Sequence, residues 1–230
     1  CGFLGLLHLG KPSLDVKALV ITCTNGSSEL MSNLASSLVS VLYNFRLMAL
    51  AGENGVAAYG VIMYVNFIFA AIFMGYAIGS APVVGYHYGA EHHDELKSLL
   101  GKSLRLVAVA GLVLTALSEL LARPLTQIFV GYDPELWAFT CHGFQLYSLS
   151  FLFSGFNVFG SSFFTALNNG LVSAGISFSR TLLFQVAAVL LLPLVLGVDG
   201  IWLAITVAEL LCLLVTVSCL VKLRGRYHYA

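Results

Sequence analysis

Six apolar stretches, each long enough to cross a bilayer as a helix, follow one another along this chain: roughly Val16 to Leu50, Gly55 to Tyr86, Leu99 to Leu121, Trp137 to Leu167, Leu171 to Leu196 and Ile201 to Leu223. A spanning helix takes about 20 mostly apolar residues. Inside hydrocarbon every backbone N–H and C=O needs a partner in the protein, and continuous runs of this length meet that need as helices. The segments between them, AGENG, YGAEHHDELKS, ARPLTQIFVGYDPE, NNG and GVDG, carry the Gly, Pro, Asn and charge that turns require. Only 10% of the residues are charged and 59% are hydrophobic, against about 25% charged in soluble domains. The expected fold is all-α and integral to the lipid bilayer, with six transmembrane helices and no soluble domain.

Charge placement then sets orientation. Lys and Arg total 11, matched by 11 Asp and Glu, so no excess of positive charge points to a nucleic-acid partner. With the N-terminal end in the cytoplasm, Lys11, Lys17, Lys97, Lys102, Arg105, Arg180, Lys222, Arg224 and Arg226 fall on the inner side, and Arg46 and Arg123 on the outer. The positive-inside rule therefore predicts a multi-pass protein of the cell membrane with both ends cytoplasmic. The adjacent histidines of EHHDE diverge by about 100° on a helix, and the run is read as a solvated loop rather than a metal site. Cys1, Cys23, Cys141, Cys212 and Cys219 form no CxxC pair and are read as inert thiols. No nucleophile and base pair, metal-ligand spacing or phosphate loop is present, so neither an enzyme nor a cofactor is expected. The chain opens on CGFLGLLHLGKPS without Met, as a processed start or a piece of a longer polypeptide would.

Two spans carry polar stripes. In the first, Asn25, Ser32, Asn33, Ser36, Ser40, Tyr43 and Asn44 fall within about 60° of Glu29 at helical spacing, with Leu34, Leu38, Val41 and Phe45 opposite. A lone charge at a helix centre costs roughly 2.5 to 3.5 kcal/mol, and such residues face a bundle interior or a watery cavity. In the fourth span Tyr147, Ser150, Ser154, Asn157, Ser161, Thr165 and Asn168 share a face, flanked by Phe153 and Phe164. In the second, Tyr59, Met63, Asn66, Ala70 and Phe73 align. Together these would line a mostly apolar chamber with scattered polar groups, although Ser and Asn stripes also serve ordinary helix contacts in membranes.

Among other membrane-level charges, Glu209 lies deep in ITVAELLCLL, with Thr206 and Thr216 near its face, and is a second candidate for ion coupling. Glu119 stands four residues before Arg123, a spacing for a surface ion pair, and Arg46 is close enough to Glu53 for another. In GYAIGSAPVVGYHYGA, Gly75 and Gly79, then Gly85 and Gly89, permit close helix approach, and Pro82 between them bends a helix by removing a backbone hydrogen bond.

NGSSELMSN, the following GENGVAAYGVI and APVVGYHYGAEHHDELKSLL resemble the multidrug and toxic compound extrusion (MATE) family, and the order and length of the spans are similar to its C-terminal lobe over nearly the whole chain. The resemblance implies one six-helix lobe, residues 1–230, of a twelve-helix transporter with alternating access. It implies as partner an N-terminal lobe, or a second copy, and efflux of cationic or amphipathic drug-like molecules in exchange for H⁺ or Na⁺. Glu29 matches the family's acidic position in the seventh helix. The tenth-helix acid of many members is missing, with Gln145 and Asn157 in that stretch instead. A flippase for a lipid-linked substrate, or a fragment without transport of its own, are the alternatives.

Overall fold

The computed structural model describes residues 16–227 and Tyr229; between Lys17 and Ser32 only the side chain of Leu19 is described. Glu29 and Asn25 therefore lie on a helical backbone, with their side chains outside the described residues. The described chain is helical throughout: α1 (Val16–Gly89), α2 (His93–Val130), α3 (Pro134–Ser148), α4 (Phe151–Ala166), α5 (Gly170–Phe178), a π-helix (Ser179–Gln185), α6 (Val186–Leu191), α7 (Pro193–Leu196) and α8 (Val198–Tyr227).

The first helix is two arms joined at one residue. Gly52 has φ 64° and ψ −151° and is the sole residue of α1 outside helical geometry, a backbone region that residues with a Cβ enter only under strain. Positions 43 and 59 of a straight helix would be about 24 Å apart along its axis, yet the Tyr43 and Tyr59 rings stack with centroids 5.2 Å apart. The chain thus reverses at Gly52, within the AGENG turn read from the sequence. Gly52→Val is expected to cost about 1–3 kcal/mol, measured as a lowered unfolding temperature in detergent.

By length and apolarity the described residues hold four spanning helices, or five when α3 and α4, bent by 46° at their junction, count as one. That count takes α1 from Asn33 to Gly89 as a single span, despite its reversal. Both boundaries of the third span differ from those read in the sequence: α2 begins at His93 rather than Leu99, so His93, Asp94 and Glu95 of the run expected as a loop form its first turn. The segment expected as a loop after Leu121 is helical to Val130 and carries Pro124 inside the helix. The turn proper is short, because Asp133 caps α3 by accepting from the backbone N–H groups of Glu135 and Leu136 at 3.0 and 3.2 Å, with Pro134 in the first turn. Helix α5 opens the same way, the Asn169 side chain accepting from Val172 N–H.

One end of the bundle gathers the ends of α1, α4 and α8. Tyr88 meets Tyr227 edge to face at 5.7 Å, and Asn169 Nδ2 donates to the Tyr227 hydroxyl at 2.8 Å. The apolar interior falls into two clusters. One is built around Tyr43, Leu47, Ile62, Phe144, Phe151 and Trp202; the other, at the Tyr227 end, around Leu96, Phe159, Phe163, Phe164 and Cys212.

Close helix approach is made by glycines other than those of GYAIGSAPVVGYHYGA. A Cβ at Gly75, Gly79 or Gly89 would meet nothing within 4 Å, and one at Gly85 only a backbone oxygen at 3.6 Å. Gly143 instead lies under the Trp202 indole, Gly155 under Phe73 and Val107, and Gly160 against Thr216. Pro82 sits in continuous helical backbone, and the break in helical geometry of α1 falls at Gly52.

Candidate functional site: a cavity walled by a buried ion pair

The two arms of α1 and the bent α3–α4 pair line an open cavity of about 250 Å³. On the second arm the stripe Tyr59, Met63, Asn66, Ala70 and Phe73 lines it, and on the first arm Ser36, Ser40 and Tyr43 do. Tyr147, Ser150, Phe151 and Ser154 contribute from the bent pair. The Tyr43 hydroxyl is buried and makes no well-formed hydrogen bond, although the Gln185 side chain lies close to it.

Arg180 and Glu209 complete the wall. Arg180 stands in the π-helix, whose wider turn rotates the side chains relative to an unbroken α-helix. Its Nε donates to Glu209 Oε1 at 2.7 Å. Asn157 Nδ2 donates to Glu209 Oε2 at 2.7 Å and to the Glu209 backbone carbonyl at 2.9 Å. Thr216 in turn donates to Asn157 Oδ1 at 2.9 Å. Glu209 is 1% exposed, whereas the Arg180 side chain keeps 31% of its surface open. Both carboxylate oxygens are satisfied, which a buried charge requires. The network lies at the junction of the two apolar clusters, with Ile205 in one and Cys212 in the other.

A second cavity of about 440 Å³ adjoins the first, sharing Ser36, Met74, Val158, Arg180 and Thr181 with it. Asn33 lines this one, together with Ser161, Ser162 and Thr165 from α4 and Ser173 and Ser177 beyond the Asn169 turn.

The remaining residues of the sequence reading lie elsewhere. Phe164 is fully buried in the Tyr227-end cluster. Asn157 turns toward α8, Phe153 lines neither cavity, and Asn44 donates to the Ser40 carbonyl of its own helix. These differences arise within α4 itself: Asn157 and Phe164 stand about 60° and 80° from Ser154 around the helix, and at their levels that side meets α8 and the Tyr227-end cluster rather than a cavity.

The expected surface ion pairs are replaced by contacts between helices. Glu119 accepts from Ser148 Oγ at 2.6 Å rather than pairing with Arg123, and Arg46 donates to the Leu190 carbonyl at 2.9 Å rather than meeting Glu53. Arg180 leaves the count of cytoplasmic charges, since it pairs inside the bundle. Sequence reasoning also passed over Gln185, Thr181 and Phe67 as cavity residues; the apolar surroundings of the π-helix gave no polar stripe to find them by.

Apolar helices packed around a cavity with a buried ion pair in its wall make this an all-α, multi-pass membrane protein. The chain belongs to the MatE family, whose profile matches residues 30–190. Solved structures share its fold. An outward-facing multidrug resistance MATE family transporter of the MOP superfamily aligns with TM-score 0.84 and 20% identity, over 96% of this chain and 49% of that one. The Vibrio cholerae MATE transporter VcmN in its bent form aligns with TM-score 0.82 and 19% identity, over 94% and 49%. A MOP superfamily transporter from Pyrococcus furiosus, described as having a binding pocket of reversed polarity, aligns with TM-score 0.78 and 19% identity, over 88% and 45%. The chain thus spans about half the length of the solved structures it matches. No curated protein matches it by sequence.

Proposed function

We propose that this chain forms one lobe of a secondary active efflux transporter that exports cationic or amphipathic small molecules in exchange for H⁺ or Na⁺. The observation that carries this reading is the Arg180–Glu209 pair in the wall of an aromatic cavity. Ionisable groups within the bilayer are costly and mark substrate or ion pathways. Tyr43, Tyr59, Phe73 and Met63 offer the broad, soft apolar surface that suits amphipathic cargo. Matching of Arg180 by Glu209 leaves the described cavity lining without net positive charge, which favours such cargo over a phosphate-bearing lipid.

Glu29 and Glu209 are the proposed coupling carboxylates. Ser36, Ser37 and Ser40 are exposed on the face of α1 beside the cavities, a polar row that would be poorly accommodated by lipid. Its cover is a second lobe, N-terminal or a second copy. Lys97, Lys102, Lys222, Arg224 and Arg226 lie toward the end where α1, α4 and α8 converge, which we assign to the cytoplasm of the cell membrane.

The test is dye efflux from proteoliposomes holding the natural protein, under Na⁺ and pH gradients imposed separately. Efflux driven by one gradient, and lost in Glu29→Gln or Glu209→Gln, is the expected result. Gradient-driven efflux at the wild-type rate in both variants would remove these carboxylates from the mechanism.

A further inference from the structure

We propose that the open edge of the Arg180 guanidinium anchors cargo by a carboxylate, so that the molecules this cavity takes are amphipaths with an aromatic body, a cationic centre and one acidic group. The inference deepens the transport reading by naming the chemistry of the cargo, and rests on that reading for the cargo's being moved at all.

Burial divides the ion pair unequally. Glu209 is 1% exposed while the Arg180 side chain keeps 31% of its surface open, and Arg180 lines both adjoining cavities. The carboxylate is served from behind, where Asn157 Nδ2 donates to Oε2 and Thr216 holds the Asn157 amide. Arg180 turns one edge toward it, with Nε and Nη2 both meeting Oε1. A guanidinium carries five N–H donors in a planar fork. Nη1 and the second hydrogen of Nη2 are therefore left over, and among the described residues no acceptor takes them. A pair kept for packing alone would be enclosed on both sides.

Among the described residues, Arg180 is thus the charge that the two cavities expose. A carboxylate meets a guanidinium edge through two parallel N–H···O bonds. A lysine here, as a compact point charge, would neutralise Glu209 without offering a second edge. The pair is neutral as a whole, so a dianionic phosphate would arrive without a countercharge, whereas a single carboxylate balanced by a cation of its own molecule would not. The cavities, about 250 and 440 Å³, adjoin at Arg180, and drug-sized sites span about 300–1,000 Å³. Tyr43, Tyr59 and Phe73 give the aromatic body a wall to lie against, and aromatic rings attract the cationic centre. The buried Tyr43 hydroxyl, without a well-formed hydrogen bond, is a further polar group open to the cargo.

A rhodamine with a free carboxylate and its methyl ester isolate the acidic group, since the two share their ring system and cationic centre. Binding of each to the natural protein in detergent is read at equilibrium by fluorescence polarisation, with no ion gradient. The wild type should bind the acid about tenfold tighter than the ester, the worth of one hydrogen bond to a charged group. Arg180→Gln combined with Glu209→Gln, which keeps a neutral hydrogen-bonding pair in the wall, should abolish that preference. Arg180→Lys alone should reduce it severalfold, because the ammonium is spent on Glu209. The readout is a ratio of two affinities in one protein, so a smaller folded fraction does not move it, and Arg180→Lys decides alone should the double variant not fold. Equal affinities in the wild type, tighter binding of the ester, or an undiminished preference in either variant overturns the anchor. Failure of the transport reading is distinguishable: neither gradient would then drive efflux, while the preference for the acid stood.

Discussion

Glu209→Ala is expected to destabilise the protein by about 3–5 kcal/mol, because it leaves Arg180 charged and unpaired within the bundle. The same substitution leaves the Asn157 amide without its carboxylate partner. Thermal unfolding in detergent would register the loss as a large drop in midpoint, and Arg180→Met should do comparable damage from the other side. The double variant Arg180→Met with Glu209→Met separates stability from transport. Replacing both members of a buried pair by apolar side chains is often neutral or stabilising, so this protein should fold nearly as well as the wild type. It should also lose ion-driven efflux entirely. Recovery of both properties would reduce the pair to a packing element.

Gly160→Leu is expected to have the second largest effect. A Cβ at Gly160 falls on the Thr216 methyl, so a larger side chain must separate α4 from α8. Overpacking of this kind costs about 1–3 kcal/mol. Here it also strains the Thr216–Asn157–Glu209 chain, because Thr216 and Asn157 sit on the two helices being pushed apart. The result should be poor yield of folded protein and loss of efflux in what survives. Gly79→Leu is the contrast. It lies in the stretch where sequence spacing predicted close helix contact, yet nothing lies within 4 Å of its Cβ position. Its effect within this lobe should stay within about 0.5 kcal/mol.

How much could be read beforehand depended on how many different neighbours one face of a helix meets along its length. The second arm of α1 is uninterrupted from Glu53 to Gly89, so the period of its side chains survived into the structure, and all five residues of its stripe line the 250 Å³ cavity. The fourth stripe crossed the bend between α3 and α4. Tyr147 and Ser154 reached one cavity, Ser161 and Thr165 the other, and Asn157 the carboxylate of α8. The last four of these lie on one unbroken helix, and a wheel that groups them on one face carries no information on which neighbour each level of the helix will meet.

By itself the sequence determined that this chain is a membrane-embedded α-helical protein, because six long apolar runs leave hydrocarbon as their only compatible solvent. It also determined the family resemblance and the reversal near Gly52, both carried by local residue patterns. Only the tertiary structure decided which glycines bring helices together and which charges pair. Arg180 and Glu209 are 29 positions apart on separate helices, each within an apolar run, and no local period links them. Their meeting depends on how the π-helix turns Arg180 toward α8, a rotation set by packing rather than by sequence spacing.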